Sequence, residues 1–220
     1  MTYGIWKFAH ILLLVYWLGA DLGVFILARA VRRDDLTFDQ RVLLLHYAMI
    51  IDLLPRICLA LTLPVGLHLA VASGFANPPF AAFALAWLVA AAWLWLILAI
   101  YRAEGTPRQA RLATINLGGQ VAFGAVVIAA GLASLLGYGS LTIPWLALKL
   151  LLFGLIFPCS IMIDVEFRPL GAAFARLAAE GSTPDIEAQI SRTVNRTVWW
   201  VLAVYALVVV ITFLGAVKPW

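Results

Sequence analysis

Six long apolar runs, each bounded by charged residues, proline or glycine, constrain the fold of this chain more than any other feature of its sequence. A helix needs about 20 apolar residues to cross the hydrocarbon core of a bilayer. The runs predict transmembrane helices near residues 4–28, 43–73, 80–101, 112–137, 142–165 and 196–217. Because 65% of the residues are hydrophobic and the mean hydropathy is +1.02, little of the chain is left to lie outside a membrane. We therefore expect one all-α integral membrane domain over residues 1–220, surrounded by lipid.

The arginines alternate between the connections that join these predicted helices. The first, third and fifth connections carry arginine, whereas the second and fourth do not. Under the positive-inside rule the basic connections lie in the cytoplasm, so we expect both termini on the non-cytoplasmic side; for a bacterial protein the membrane would be the inner one. The basic residues form no run, and nucleic acid is not an expected partner. Within the fifth connection, residues 172–179 predict a short interfacial helix.

Several ionisable side chains fall inside the predicted spans, where each costs at least ~2.5 kcal/mol at the helix centre and therefore faces the interior of the bundle. They are His10, Asp21, His46, Asp52, Arg56, His68, Lys149, Asp164 and Glu166. Asp52 and Arg56 stand four residues apart on one helix, and this spacing predicts an ion pair, more often structural than functional. We expect Asp164 and Glu166, near the inner end of the fifth span, to reach interfacial water.

Two of the histidines lie at one depth. His10, His68 and Lys149 each stand about five to seven residues from the outer ends of their predicted spans, whereas His46 lies near the opposite end. A single buried histidine is usually hydrogen-bonded to a neighbouring helix. Two histidines at equal depth on different helices also suit the axial ligation of a buried haem b, and Trp17 and Asp21 share the helical stripe of His10.

Four of the six spans carry short motifs that resemble those of a known group of membrane proteins. The motifs are Trp6-Lys7-Phe8-Ala9-His10 with Tyr16-Trp17-Leu18-Gly19, Pro55-Arg56 with Leu63-Pro64-Val65-Gly66, Trp145-Leu146-Ala147-Leu148-Lys149-Leu150, and Asn195 with Val217-Lys218-Pro219-Trp220. In this order they resemble the superfamily that includes the HemJ-type protoporphyrinogen IX oxidases and the membrane domains of CopD-type copper-resistance proteins. Residues 80–137 have no counterpart in the four-helix HemJ pattern. After Lys149, Cys159, Asp164 and Glu166 stand where that pattern has aromatic and histidine residues.

The resemblance implies that His10 binds haem and that Lys149 is functionally important, near a haem propionate or a substrate carboxylate. Our main hypothesis from the sequence is therefore a haem-b-binding membrane redox protein with His10 and His68 as iron ligands. Trp17 and Lys149 would complete the cofactor site, and Lys149, Arg56 and Asp52 are the candidate catalytic residues. Electrons would pass to a quinone or to another respiratory-chain component, and the protein could form a homo-oligomer.

Two other classes of function remain open at the sequence level. The first is a permease for copper or a small solute, with its path lined by Asp52 and by a second helix that Pro55 and Pro64 bend. Copper has weaker support, since the chain has three methionines and two cysteines and does not cluster them. The second is a non-catalytic subunit of a larger membrane complex, whose buried polar groups hold its own helices together.

Overall fold

The computed structural model describes residues 2–219, and within this range it consists of helices and connections without a strand. The helices are α1 (Thr2–Ala30), α2 (Phe38–Ala72), α3 (Phe80–Arg102), α4 (Pro107–Leu135), α5 (Pro144–Phe167), α6 (Pro169–Glu180) and α7 (Pro184–Val217). Trp220, the last residue of the fourth motif, lies outside the described residues. Every helix except α6 has a segment long and apolar enough to cross a membrane, which confirms the prediction of six spanning helices.

Local sequence signals explain where the helices begin. A proline stands at the start of α4, α5, α6 and α7, where its missing N–H costs nothing and its fixed φ favours the helix. Thr37 and Gln40 form a capping box at the start of α2. That helix then continues as one 35-residue element through both of its internal prolines.

Helix α7 begins 12 residues before the predicted span, and its first turns belong to the segment that the sequence had indicated as a connection. The reason is a short apolar face: Ile186, Ile190 and Val194 are buried against Leu170 and Phe174 of α6. The short helix predicted within this connection is thus confirmed as α6, and it packs on the extension of α7 rather than standing alone.

The six spanning helices form a closed ring. Contacts run from α1 to α2, α3, α4, α5 and α7, and back to α1, so each helix has one face toward a common interior. Glycines bring α4 and α5 very close together. A Cβ placed on Gly131 would lie 2.5 Å from the backbone N of Leu151, and one on Gly154 would lie 2.7 Å from the side chain of Ile128. Small residues at such contacts are typical of helix packing in membranes.

Two apolar clusters divide the interior along the membrane normal. The one nearer the termini, called here the apolar layer, consists of Trp17, Cys58, Leu59, Val127, Phe153, Ile156, Phe157, Val204 and Val208. The other lies at the opposite end, which carries the arginine-containing connections and is called here the arginine-rich end. There Arg41, with 1% of its surface exposed, donates from Nη1 to both carboxylate oxygens of Glu187 at 3.0 and 2.9 Å, and so ties α2 to α7.

Candidate functional site

Between the two apolar clusters, the guanidinium of Arg56 lies between two carboxylates from different helices. Its Nε donates to Asp52 Oδ2 at 2.5 Å within α2, and its Nη2 donates to Asp164 Oδ1 of α5 at 3.0 Å. The predicted pairing of Asp52 with Arg56 is therefore confirmed. Asp164, which the sequence placed at interfacial water, keeps 32% of its side-chain surface exposed and also pairs with Arg56, because α5 turns this face toward α2 inside the ring.

A cavity of about 180 Å³ surrounds Arg56 and is lined by residues from all six spanning helices. We call it the chamber. Its further polar walls come from four of those helices, through Asp21, Asn116, Gln120, Ser160 and Thr197. Polar groups at this depth are expensive in a bilayer and are typical of binding sites or solute pathways.

The chamber extends toward one end of the molecule, where Arg29 and Phe167 are part of its lining. A second cavity of about 300 Å³ shares Arg56, Asp52 and Asp164 with it and extends to residues of the arginine-rich end, Glu104 and Arg168 among them. On the side of the chamber that faces the termini lie the apolar layer and the aromatic residues packed against it. The ring centroids of Phe157 lie 5.3 to 5.6 Å from those of Phe123, Phe153 and Trp93. The lining residues of the two cavities thus extend toward the arginine-rich end, and the apolar layer lies between the chamber and the termini.

Some of the polar side chains in the chamber wall are paired and others are not. Trp93 donates from its indole to Asn116 Oδ1 at 3.0 Å, whereas Gln120, only 4% exposed, has no partner for its Oε1 in the described part of the chain. Asp21 makes no ion pair with any residue between 2 and 219. The buried hydroxyl of Tyr205 lies beside this carboxylate without forming a well-aligned hydrogen bond to it.

His10 and Lys149 lie outside the chamber, nearer the termini. The imidazole of His10 rests on α2, where a Cβ on Gly66 would lie 3.4 Å from its Cε1. Its Nδ1 is buried and has no partner in the described chain. Lys149 is close enough to act on this imidazole electrostatically, and its Nζ would lie 2.5 Å from a Cβ on Gly215 of α7. The structure thus brings together two of the three groups that the sequence placed at one depth.

His68 lies in an aromatic cage. Its ring stacks on that of Trp6 with a centroid distance of 4.1 Å and an interplanar angle of 5°, and the ring of Phe83 is 4.7 Å away. Its Nε2 accepts a hydrogen bond from the indole of Trp87 at 3.0 Å, so the remaining ring nitrogen carries the proton of the neutral imidazole. This half-buried histidine is hydrogen-bonded to a neighbouring helix, the role that is usual for a single histidine within a span.

These observations bear on whether the residues fit a haem held by two histidines. Each ligand must offer a ring nitrogen with a free lone pair. His10 offers a nitrogen without a partner, whereas the lone pair of His68 is occupied by Trp87. His46 is exposed toward the arginine-rich end. Residues 2–219 contain no group of three or more His, Cys, Asp or Glu side chains that could hold a metal ion. The pair His10 and His68, as it stands, does not fit the haem.

The sequence reasoning missed Asn116 and Gln120, which lie four residues apart on α4, in the region without a counterpart in the resemblance. An uncharged amide pair at this spacing within an apolar span was the signal that could have found them. Trp17 is buried in the apolar layer and also lines the chamber. Asn195 of the fourth motif accepts a hydrogen bond from Arg32 at the arginine-rich end.

No family model, no curated protein and no solved structure matches the chain.

Proposed function

We propose that this chain is a membrane permease for a small solute and that the chamber is its binding site. The observation that supports the proposal is a polar cavity, lined by every spanning helix, that extends toward one end and has an apolar layer between it and the other. Transporters place their sites at such a depth, with access from one side at a time. If these polar side chains served only to pack the helices together, the space beside them would be filled by other side chains rather than left as a cavity.

The charges at Arg56 suggest how a bound solute could influence the fold. Arg56 neutralises Asp52 and Asp164 and at the same time joins α2 to α5. A polar solute that hydrogen-bonds to one of these carboxylates competes with the guanidinium and loosens that link. Release toward the termini then requires the rings around Phe157 to separate. We place the arginine-rich end in the cytoplasm, because its arginines follow the positive-inside rule, and the chamber would then extend toward the cytoplasm.

Accessibility from the two sides tests this proposal. With Cys58 and Cys159 replaced by alanine, the variant Ser160→Cys puts a thiol in the chamber wall. We expect a membrane-impermeant thiol reagent to label it from the arginine-rich side. Ser140→Cys, in the exposed connection between α4 and α5, is the matched control and should be labelled from the opposite side.

Equal labelling of the chamber thiol from both sides, or none from the arginine-rich side, would contradict the proposed access. Transport itself is measured with purified protein in lipid vesicles and three labelled solutes: a cation, an anion and a neutral molecule. If none of them enters faster than into vesicles without protein, the permease proposal fails.

A haem-b-binding membrane redox protein is the second candidate. It is favoured by the buried, unpaired Nδ1 of His10 next to Lys149 and by the resemblance to the HemJ-type proteins. His10 would hold the iron and Lys149 would face a propionate, and the haem would supply one-electron chemistry there. A dithionite-reduced difference spectrum of the purified protein tests this candidate. Haem bands that vanish in His10→Ala and persist in His46→Ala would support it, and a wild type without bands would exclude it.

A further inference from the structure

The charges in the chamber wall do not balance. Three carboxylates, those of Asp21, Asp52 and Asp164, line the chamber together with the guanidinium groups of Arg29 and Arg56. Arg56 is hydrogen-bonded to Asp52 and Asp164. Arg29 lies at the arginine-rich end, exposed, with its guanidinium carbon 5.4 Å from the ring centroid of Phe25. One carboxylate is therefore in excess of the cations, and Asp21 is the one without an ion pair among residues 2–219.

The surroundings of Asp21 suit a positive charge. Trp17 and Phe25 stand four residues before and four residues after it, so that all three side chains share one face of α1, and all three line the chamber. Aromatic ring faces attract cations. Gln120 of α4, only 4% exposed, adds a carbonyl oxygen without a partner to the lining of the same chamber. A ligand that carries one positive charge and several N–H donors would satisfy the carboxylate and the amide together.

We infer that the chamber binds a small monovalent cation of the ammonium or guanidinium type at Asp21, an inference that rests on the permease function proposed above and names its substrate class. The cavity of about 180 Å³ has room for on the order of ten non-hydrogen atoms. An uncompensated carboxylate is costly inside a bilayer, so Asp21 holds a proton when the cation is absent. Binding of one cation therefore releases one proton from this carboxylate, and the net charge of the chamber stays unchanged.

Uptake of labelled guanidinium by the protein in lipid vesicles tests the inference. Guanidinium keeps its charge at every usable pH and can form two parallel hydrogen bonds with a carboxylate. Urea has the same planar shape without the charge and is the matched control solute. We expect protein-dependent guanidinium uptake that an opposing proton gradient accelerates, and much slower uptake of urea. Asp21→Asn should reduce guanidinium uptake by about tenfold or more, whereas Asp34→Asn, in the exposed connection after α1, should leave it unchanged.

The outcomes separate this inference from the proposed function. Equal uptake of urea and guanidinium, or undiminished guanidinium uptake by Asp21→Asn, would overturn the cation site and leave the permease standing. Absence of uptake for any solute would remove both. If Asp21→Asn does not fold, proton release by the wild type in weakly buffered detergent solution decides: about one proton per bound guanidinium is expected, and no release overturns the inference. Asp21→Glu, which keeps the charge, should retain binding.

Discussion

Replacing Arg56 by methionine removes a guanidinium that two carboxylates share. In the wild type Arg56 donates hydrogen bonds of 2.5 Å to Asp52 and 3.0 Å to Asp164. The substitution leaves these two carboxylates inside the membrane without a cation between them. Breaking one partner out of a fully buried pair costs about 3 to 5 kcal/mol. The three side chains keep 29% to 37% of their surface exposed and line the cavities, so water screens part of this penalty. We expect Arg56→Met to destabilise the protein by about 2 to 3 kcal/mol.

The matched variants make this expectation specific. Asp52→Asn leaves the pair of Arg56 with Asp164 intact and should cost only about 1 kcal/mol. The triple variant with leucine at both aspartates and methionine at Arg56 has no unpaired charge and should be closer to the wild type than Arg56→Met alone. Unfolding by denaturing detergent, followed by tryptophan fluorescence, measures the three differences. A triple variant as unstable as the sum of its single substitutions would refute the reasoning and would assign the residues separate roles.

Three further predictions concern packing, charge pairing and topology. Gly154→Leu should destabilise the protein by about 1 to 3 kcal/mol through overpacking of α4 against α5, measured by thermal unfolding, whereas Gly118→Leu, which has open space around its Cα, should be close to neutral. Arg41→Met should cost about 2 to 3 kcal/mol, because Glu187 loses its cation and keeps only the hydrogen bond from Ser182, and Glu187→Gln added to it should restore part of the loss in the same assay. Alkaline phosphatase fused to the C-terminus should be active in a bacterial host, and a fluorescent reporter fused at the same position should not fluoresce. The reverse result would contradict the assignment of the C-terminus to the non-cytoplasmic side.

The number of spanning helices could be predicted because apolar length alone decides it. The extent of α7 could not. Its first turns carry four charged residues, Asp185, Glu187, Arg192 and Arg196. In the sequence alone, a segment with so many charges indicates a connection between spans rather than a helix. They form a helix because Ile186 and Ile190 find an apolar surface on α6, and that surface exists only in the folded chain.

In the candidate site, too, contacts within one helix could be predicted from the sequence, whereas contacts between helices could not. Asp52 and Arg56 are neighbours on one helical face, so their spacing predicts their contact. Asp164 lies 108 residues further along the chain than Arg56, and only the order of helices in the ring brings it there. Asn116 and Gln120 carry no charge and therefore escape a search for ionisable groups, although an amide in the bilayer also needs a partner.

His10 and His68 lie at the same depth in the bundle, but their side chains point in different directions. The two histidines lie at one level, as their positions in the first two spans predict, because His10 rests on Gly66, two residues before His68. Two residues along an α-helix correspond to a rotation of about 200°. The side chain of His68 therefore leaves α2 in a different direction from Gly66, and there it stacks on Trp6 of α1 and meets Phe83 and Trp87 of α3. We expect a second ligand for any metal at His10 to come from α5 or α7, because their residues Lys149 and Gly215 adjoin each other and Lys149 acts on this imidazole. Exchange of His68 for alanine should therefore leave such a site intact.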